Sequence, residues 1–186
     1  VSSGGNSTLV AGENLLLAGS AVTAEKGAAK LVAGNDVQIL AVTDSDSARH
    51  ERKESKSSWG GLKSSKVEDK VDEKRTTAVG SMVSGETVVV AAKRDVTVTG
   101  SSLVSTSDLS VQAGRDLTID AAQNTFSRTD MHKEKNRDLT GVLTGNKLGL
   151  DDATGNQHLF INSQKHNGTA NETTLTGSTV GSSAGN

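Results

Sequence analysis

Three aspartates at recurring positions are the first residues in this sequence that could do chemistry. Asp36, Asp95 and Asp116 each stand directly before a stretch in which apolar and polar residues alternate. Paired carboxylates hydrolyse glycosidic bonds when they face each other across a substrate groove. Here each aspartate occupies a turn-like position, which favours Asp for its local hydrogen bonding. We therefore predict a stack of turn residues, no catalytic residue and no enzyme.

Histidines and a glycine-rich stretch are the other candidate ligand groups. His132, His158 and His166 are irregularly spaced, and none forms an i,i+4 pair with another. A zinc site needs several convergent ligands at suitable spacing, so solvated histidines are the better interpretation. The stretch from Thr140 to Leu148 contains glycines and a lysine, but not the Gly-Lys-Ser/Thr order of a phosphate-binding loop. We predict no metal site and no cofactor.

A charged segment around the single tryptophan is the best candidate for contact with a partner. Trp59 stands beside a Gly-Gly pair, and Arg49, Arg52 and Lys53 precede it. A large rigid ring is effective in partner recognition. The alternative is that Trp59 packs against its own hairpin or a neighbouring surface. We take these four residues as the candidate contact.

Composition restricts the fold that must position these residues. The chain has 186 residues, of which 33% are hydrophobic and only 2% aromatic, so its core must consist of small aliphatic side chains. It contains no Cys and no Pro. Proline is excluded from central strands because it cannot donate a backbone hydrogen bond. A net charge of −2 gives no general attraction to nucleic acid.

The apolar residues recur in units of about 21 residues. Leu9 returns 22 residues later as Leu31, and Val88 returns 21 residues later as Leu109. Within each unit apolar and polar residues alternate, which is typical of short strands. Equivalent strands of such units stack in parallel at roughly 4.8 Å. The repeat predicts an all-β solenoid with two or three short strands per coil.

A longer period of about 80 residues lies over the short one. Gly19-Ser20-Ala21-Val22 returns as Gly100-Ser101-Ser102-Leu103 and again as Gly177-Ser178-Thr179-Val180. Each long unit contains coil sequence followed by a polar interruption, near residues 44–78 and 124–171. We interpret residues 1–186 as one β-helix segment, a fragment of a larger protein, with these two excursions.

The two interruptions differ from the coils in character. The first is dense in charges of both signs, and Gly60-Gly61 at its centre predicts a hairpin turn. It either forms a hydrated β-hairpin or is partly disordered. A helix over Lys66 to Arg75 is a weaker alternative, supported by i,i+4 charge pairs. The second interruption leaves its coil at an equivalent place, after Ala121-Ala122 where the first follows Ala41-Val42. Insertions in solenoids often carry binding functions.

Several motifs together resemble one family of bacterial exoproteins. The Gly-Ser-x-Leu/Val motif, Ala113 to Thr125 and Ser-Ser-Trp-Gly-Gly at 57–61 are similar to the second block of haemagglutinin repeats. That block occurs in filamentous haemagglutinins and in the toxins of contact-dependent growth inhibition. The resemblance covers essentially the whole chain. It implies a right-handed parallel β-helix with protruding polar, hairpin-like arms.

The resemblance also implies a place and a role. It implies two-partner secretion through an outer-membrane transporter, a location outside the cell or on the bacterial surface, and contact with a target-cell outer membrane, receptor or glycan. We expect a structural rod segment for adhesion or toxin delivery, with neither a secretion domain nor a toxin domain of its own. The alternatives are a carbohydrate- or membrane-binding module acting through the arms and, less favoured, a polysaccharide-cleaving enzyme. Nucleic acid is not an expected partner.

Overall fold

The computed structural model describes residues 1–58, 60–138 and 160–184, without the side chains of residues 160 and 161. All of the regular structure in these residues is β-strand, which confirms the all-β prediction. No helix long and apolar enough to cross a membrane occurs among them. The strands form three sheets, which we call A, B and C.

Sheets A and B hold the repeated apolar stretches. Sheet A has the order β1-β4-β8-β10-β14, with β2 also paired to β4, and sheet B has the order β11-β9-β5-β3. The strands of sheet A are β1 (Ser2–Ser3), β2 (Ser7–Ala11), β4 (Ala21–Ala33), β8 (Met82–Ala92), β10 (Ser102–Ala113) and β14 (Thr179–Ser182). Those of sheet B are β3 (Leu15–Ala18), β5 (Val37–Leu40), β9 (Val96–Thr99) and β11 (Leu117–Asp120).

Every adjacent pair of strands in these two sheets is parallel, and the register aligns the sequence repeats. Leu9 pairs with Leu31, Leu31 with Val90, and Val90 with Val111. The predicted offsets of 21 and 22 residues are therefore confirmed as strand pairings. Equivalent aliphatic side chains form columns, which become the core because water is excluded between successive layers. The other columns include Val22-Val83-Leu103-Val180, Leu15-Val37-Val96-Leu117 and Leu17-Ile39-Val98-Ile119.

The long strands of sheet A bend at irregular points in their register. Between Ala24 and Ala28 on β4, the facing stretch of β8 runs only from Gly85 to Thr87. The corresponding stretch of β10 runs from Ser105 to Asp108. At this one point in β4, β8 and β10, the number of residues left out of the strand pairing differs from one layer to the next. This difference absorbs the variation in repeat length, so the apolar columns stay aligned on both sides of the bend.

Sheet C is made of the two interruptions. It has the order β13-β12-β7-β6, and each of its strands is 17 residues long: β6 (Val42–Ser58), β7 (Lys63–Val79), β12 (Ala122–Asp138) and β13 (Phe160–Thr176). Only residues 59–62 join β6 to β7, a connection too short for a parallel crossover. Gly60 and Gly61 have φ of 61° and 92°, a conformation that favours glycine. The predicted hairpin turn is confirmed.

The structure corrects the alternative of a helix over residues 66–75. All of these residues belong to β7. The charge pattern that suggested i,i+4 helical pairs instead forms pairs between strands, for example Lys70 with Glu51 at 3.7 Å. Because β7 has a neighbour on each side, its backbone groups are hydrogen-bonded across the sheet and a helix gains nothing.

Contacts divide the chain into two units. The first comprises residues 1–45, 76–125 and 173–186 and contains sheets A and B with the buried core. The second comprises residues 46–75 and 126–172 and contains most of sheet C. Each excursion follows a strand of sheet B after one residue, Ala41 after β5 and Ala121 after β11. The two excursions thus leave sheet B at equivalent places.

Candidate functional site

The recurring aspartates form a hydrogen-bonded ladder at the start of sheet B. The backbone N–H of Asp36 donates to Asn14 Oδ1 at 3.2 Å, that of Asp95 to Asp36 Oδ1 at 3.3 Å, and that of Asp116 to Asp95 Oδ1 at 3.3 Å. The amide oxygen of Asn14 and the carboxylates of Asp36 and Asp95 therefore each accept a hydrogen bond from the layer that follows. The predicted stack of turn residues is confirmed, and its acids lie in one column.

Arginines neutralise this column. Arg115 Nε donates to Asp95 Oδ1 at 2.8 Å, and Arg94 Nε lies 3.5 Å from Asp36 Oδ1. The hydrogen bond from Arg115 is the main cause that lowers the pKa of Asp95, and the backbone N–H of Asp116 adds to it. A general acid in glycoside hydrolysis needs a raised pKa. Asp95 has the opposite property, and the hydrogen bonds of the ladder hold the turns of successive layers together.

A second ladder, of serines, lies where sheet B leads back to sheet A. The N–H of Ser20 donates to Ser81 Oγ at 3.1 Å, that of Ser81 to Ser101 Oγ at 3.0 Å, and that of Ser101 to Ser178 Oγ at 3.3 Å. The hydroxyl groups in turn donate to carbonyl oxygens, as Ser81 Oγ does to Leu40 at 2.8 Å. Ser81 and Ser101 are fully buried, so these bonds satisfy polar groups that have no access to water.

The serine ladder was not predicted from the sequence. Besides the three copies of the Gly-Ser motif named above, the chain has a fourth, Gly80-Ser81-Met82-Val83, which carries the same pattern. In the structure Met82 pairs with Ala21 on one side and Ser102 on the other. The copies starting at Gly19 and Gly100 are therefore separated by one layer. The recurrence of Gly-Ser-x-Val is the sequence signal for this fourth copy.

The cations predicted to contact a partner lie on β6 in ion pairs. Arg49 Nε is 3.4 Å from Asp72 Oδ1, Lys53 Nζ is 3.8 Å from Glu68 Oε1, and Arg52 is bonded to Glu54. The bond with Glu51 is the main cause that raises the pKa of Lys53. These cations are solvent-accessible, but each already has an acidic neighbour. Trp59 lies outside the described residues, so its role as a contact remains a prediction.

The ion pairs also define the pairing of strands β6 and β7. Arg49 pairs with Asp72, Lys70 with Glu51, and Lys53 with Glu68. A step of two residues forward on β6 corresponds to a step of two residues backward on β7. The two strands are therefore antiparallel, with opposite charges placed directly across from each other, which stabilises a sheet.

Strands β7 and β12 join the two excursions into one sheet. Arg128 Nη1 lies 3.0 Å from Glu73 Oε1, and Lys63 Nζ lies 3.0 Å from Asp138 Oδ2. The guanidinium of Arg75 lies 5.4 Å from the centre of the Phe126 ring, a cation–π contact. Lys63 and Glu73, which are ten residues apart on β7, face Asp138 and Arg128, which are ten residues apart on β12, in reverse order. This pairing is also antiparallel.

The described histidines lie on the strands of sheet C. His132 Nδ1 is hydrogen-bonded to Asp69 Oδ1, and His166 is exposed on β13. Across the ranges 1–58, 60–138 and 160–184, no group of three or more metal-ligating side chains converges. His158 lies outside the described residues, as does the glycine-rich stretch from 140 to 148. The described histidines belong to the polar surface of sheet C.

Comparisons with known proteins show the family. The model described as Hemagglutinin repeat matches residues 1–68 and 61–186, so two matches together extend over the whole chain. The chain belongs to the hemagglutinin repeat family. This confirms the resemblance to the repeat region of contact-dependent growth inhibition exoproteins. No solved structure matched the chain.

Curated relatives of this hemagglutinin repeat chain are much longer proteins. It is 31% identical to the "tRNA nuclease CdiA-2" of Burkholderia pseudomallei over 100% of this chain and 6% of that protein. It is 31% identical to the "16S rRNA endonuclease CdiA" of Enterobacter cloacae over 100% of this chain and 5% of the relative. It is 32% identical to the "tRNA nuclease CdiA" of Escherichia coli strain STEC_O31 over 90% of this chain and 5% of the relative. The chain thus spans about one twentieth of these relatives, and the nuclease activity in their names is that of the long proteins.

Proposed function

We propose that this chain is a structural segment of a secreted bacterial surface exoprotein, serving adhesion or contact-dependent toxin delivery. In this proposal sheets A and B are two sides of a right-handed parallel β-helix, and the chain is one part of a longer rod. The observation that carries it is the in-register parallel stacking of equivalent repeats, from Leu9 through Leu31 and Val90 to Val111. Such stacking has no intrinsic end, so length grows with the number of coils.

The proposed mechanism is mechanical. Each layer adds about 4.8 Å to the stack. Backbone hydrogen bonds between layers stiffen it, and the aspartate and serine ladders hold the turns in line. Such a segment needs no catalytic group, which agrees with the aspartates being engaged in a ladder with Arg94 and Arg115. We propose that an outer-membrane transporter exports it and that its working partner is the surface of a target cell.

An exchange of segments tests this proposal. The matched segment of the Burkholderia pseudomallei relative is replaced by this chain, and growth inhibition of target cells is measured beside a variant that lacks the segment. Inhibition by the exchanged protein, but not by the deletion variant, is the expected result. Inhibition that survives deletion contradicts a required structural role. As a control, Val90→Asp in the exchanged segment introduces a charge into the core and should abolish inhibition.

A second candidate function is favoured by the surface of sheet C. Three of its 17-residue strands carry dense charge, and the buried core includes no side chain of these strands. A carbohydrate- or membrane-binding module acting through these hairpins would use that surface, with Trp59, Arg49, Arg52 and Lys53 as the predicted contact. Removing residues 49–74 should then abolish binding to cells or membranes, and unchanged binding would count against this candidate.

A further inference from the structure

Cations in sheet C divide into those with acidic partners and those without. Arg49, Lys53, Lys63, Lys70 and Arg128 each lie within 4 Å of a carboxylate oxygen. Eight others form no ion pair within the part of the chain that the structure describes. Three of them are Lys56 on β6 and Lys74 and Arg75 on β7. The other five are Lys66 on β7, Lys133, Lys135 and Arg137 on β12, and Lys165 on β13.

The strand register gathers these five residues on one face. The pairing that places Lys63 opposite Asp138 and Glu73 opposite Arg128 places Lys66 opposite Lys135. Lys66, Lys133 and Lys135 line one shallow groove together with Glu68. Side chains alternate between the two faces of a strand, so Arg137 lies on the same face as Lys133 and Lys135. We call this surface the basic face.

Strand β13 extends the basic face by one further lysine. Ser127 Oγ bonds to Asn171 Oδ1, and Gly168 lies beside the side chain of Asp130. Continuing this antiparallel register brings Lys165 opposite Lys133. Lys66, Lys135 and Lys165 are exposed, and Lys133 is half-buried. Three adjacent strands therefore present ammonium groups to the same side.

The other face of the same strands is acidic, since its carboxylates outnumber its cations: Asp69, Glu73, Asp130, Glu134, Asp138 and Glu172 against Lys63, Arg75 and Arg128. Asp69 bonds to His132, Glu73 to Arg128, and Lys63 to Asp138, all through side chains that alternate with those of the basic face. Charge is thus segregated across a single sheet in a chain whose net charge is only −2. Like charges directly opposite each other destabilise a sheet. A bound polyanion would offset this repulsion, because its negative charges attract each of the neighbouring lysines.

We propose that the basic face binds an acidic, carboxylate-bearing polysaccharide. Neighbouring lysines on this face are about 4.8 Å apart across strands and about 6.8 Å apart along a strand, which suits a polymer with closely repeated charges. Ser127, Thr129 and Asn171 lie on the same face and can hydrogen-bond sugar hydroxyl groups. This inference deepens the proposed binding role of the hairpins and rests on it.

The composition of the basic face separates this ligand from other polyanions. Single-stranded nucleic acid is bound through aromatic rings on which bases stack. Among the described side chains of this face there is no aromatic ring, since Phe126 lies on the opposite face with Arg75. An interfacial membrane site needs a row of apolar side chains, whereas the large apolar residues among the described side chains of this face are only Met131 and Leu175, on different strands. Lysine with Ser, Thr and Asn fits a hydroxylated anionic chain best.

A titration with polygalacturonate tests the proposal. The full chain is titrated by calorimetry at low and at high salt, with uncharged dextran and single-stranded DNA of equal charge as comparison ligands. The test variant is Lys133→Glu/Lys135→Glu. The matched control is Lys26→Glu/Lys30→Glu, which makes the same charge change at two exposed positions on β4 of sheet A. Circular dichroism and thermal unfolding establish that both variants are folded.

We expect polygalacturonate to bind with an affinity that falls as salt rises, and dextran not to bind. The test variant should lose at least about tenfold in affinity, since one charge-assisted hydrogen bond is worth about that factor. The control should stay within about twofold, because its two charges belong to sheet A and are not part of the basic face. Equal losses in both variants, or DNA binding as tight as polygalacturonate, overturn the proposal. If polygalacturonate does not bind at all, the proposal of an acidic polysaccharide ligand is overturned. The structural role is then unaffected, because the segment exchange tests it separately.

Discussion

At the scale of single residues, the buried serine ladder makes a testable contribution to stability. In Ser101→Ala the N–H of Ser81 loses its acceptor, whereas the Thr99 carbonyl keeps the hydrogen bond from the Ala41 N–H. Leaving a buried N–H unpaired costs about 1–3 kcal/mol. Ser105→Ala is the matched control, because the Ser105 hydroxyl is equally buried but has no hydrogen-bond partner among the described residues. Urea unfolding should show a clear loss for Ser101→Ala and none for Ser105→Ala. Equal losses would contradict a structural role for the ladder.

The aspartate ladder gives a prediction about pH. Its bond with Arg115 lowers the pKa of Asp95 in the folded state below the ordinary value of 3.8. The resulting stabilisation is fully present above that ordinary value and is lost as pH falls through the lowered pKa. Asp95→Asn should therefore lower the Tm at pH 6, and the difference from the parent chain should shrink below about pH 4. Asp108→Asn, at an exposed position on β10, should show no such trend. A difference that persists unchanged at pH 2 would contradict the prediction.

At the scale of elements, two glycines at equivalent corners are expected to differ. Gly100 has φ of 55°, and a Cβ atom there would lie 2.4 Å from Ala122 Cβ. Gly177 begins the same motif but has open space around it. Gly100→Ala should destabilise the chain by about 1–3 kcal/mol through backbone strain and crowding. Gly177→Ala should change the free energy of unfolding by less than about 0.5 kcal/mol. Similar losses in denaturant titrations of both variants would contradict this account of the corner.

The strands of sheets A and B could be predicted from the sequence, because the alternation of apolar and polar residues recurs in each coil. Leu9 and Leu31, for example, identify each other as equivalent residues. Sheet C could be predicted only in part. A Gly-Gly pair between polar limbs indicates a hairpin, but nothing in β7 or β12 alone shows that the two hairpins pair. That pairing depends on ion pairs such as Glu73 with Arg128, which lie 55 residues apart in sequence.

At the scale of the whole molecule, the order of the layers is the central claim. The 80-residue similarity makes Ala33 the equivalent of Ala113, which taken alone suggests that their layers are neighbours. The structure instead pairs Ala33 with Ala92, and Ala92 with Ala113. The coil that follows the first excursion, which contains Ala92, therefore lies between the coils that contain Ala33 and Ala113. Sequence similarity finds equivalent positions, whereas the stacking order also depends on where the chain returns from each excursion.

Disulfide mapping tests this order most directly, because the chain has no native cysteine. Val32 pairs with Ala91, and Ala91 with Gln112, on the outward side of sheet A. Partners in adjacent layers are about 4.8 Å apart, within reach of a disulfide, whereas Val32 and Gln112 are two layers or about 9.6 Å apart. Under mild oxidation Val32→Cys/Ala91→Cys should therefore form an intramolecular disulfide, detected by mass spectrometry, and Val32→Cys/Gln112→Cys should not. A disulfide in the second variant but not in the first would contradict the stacked-coil architecture. The absence of a disulfide from both variants would contradict it as well.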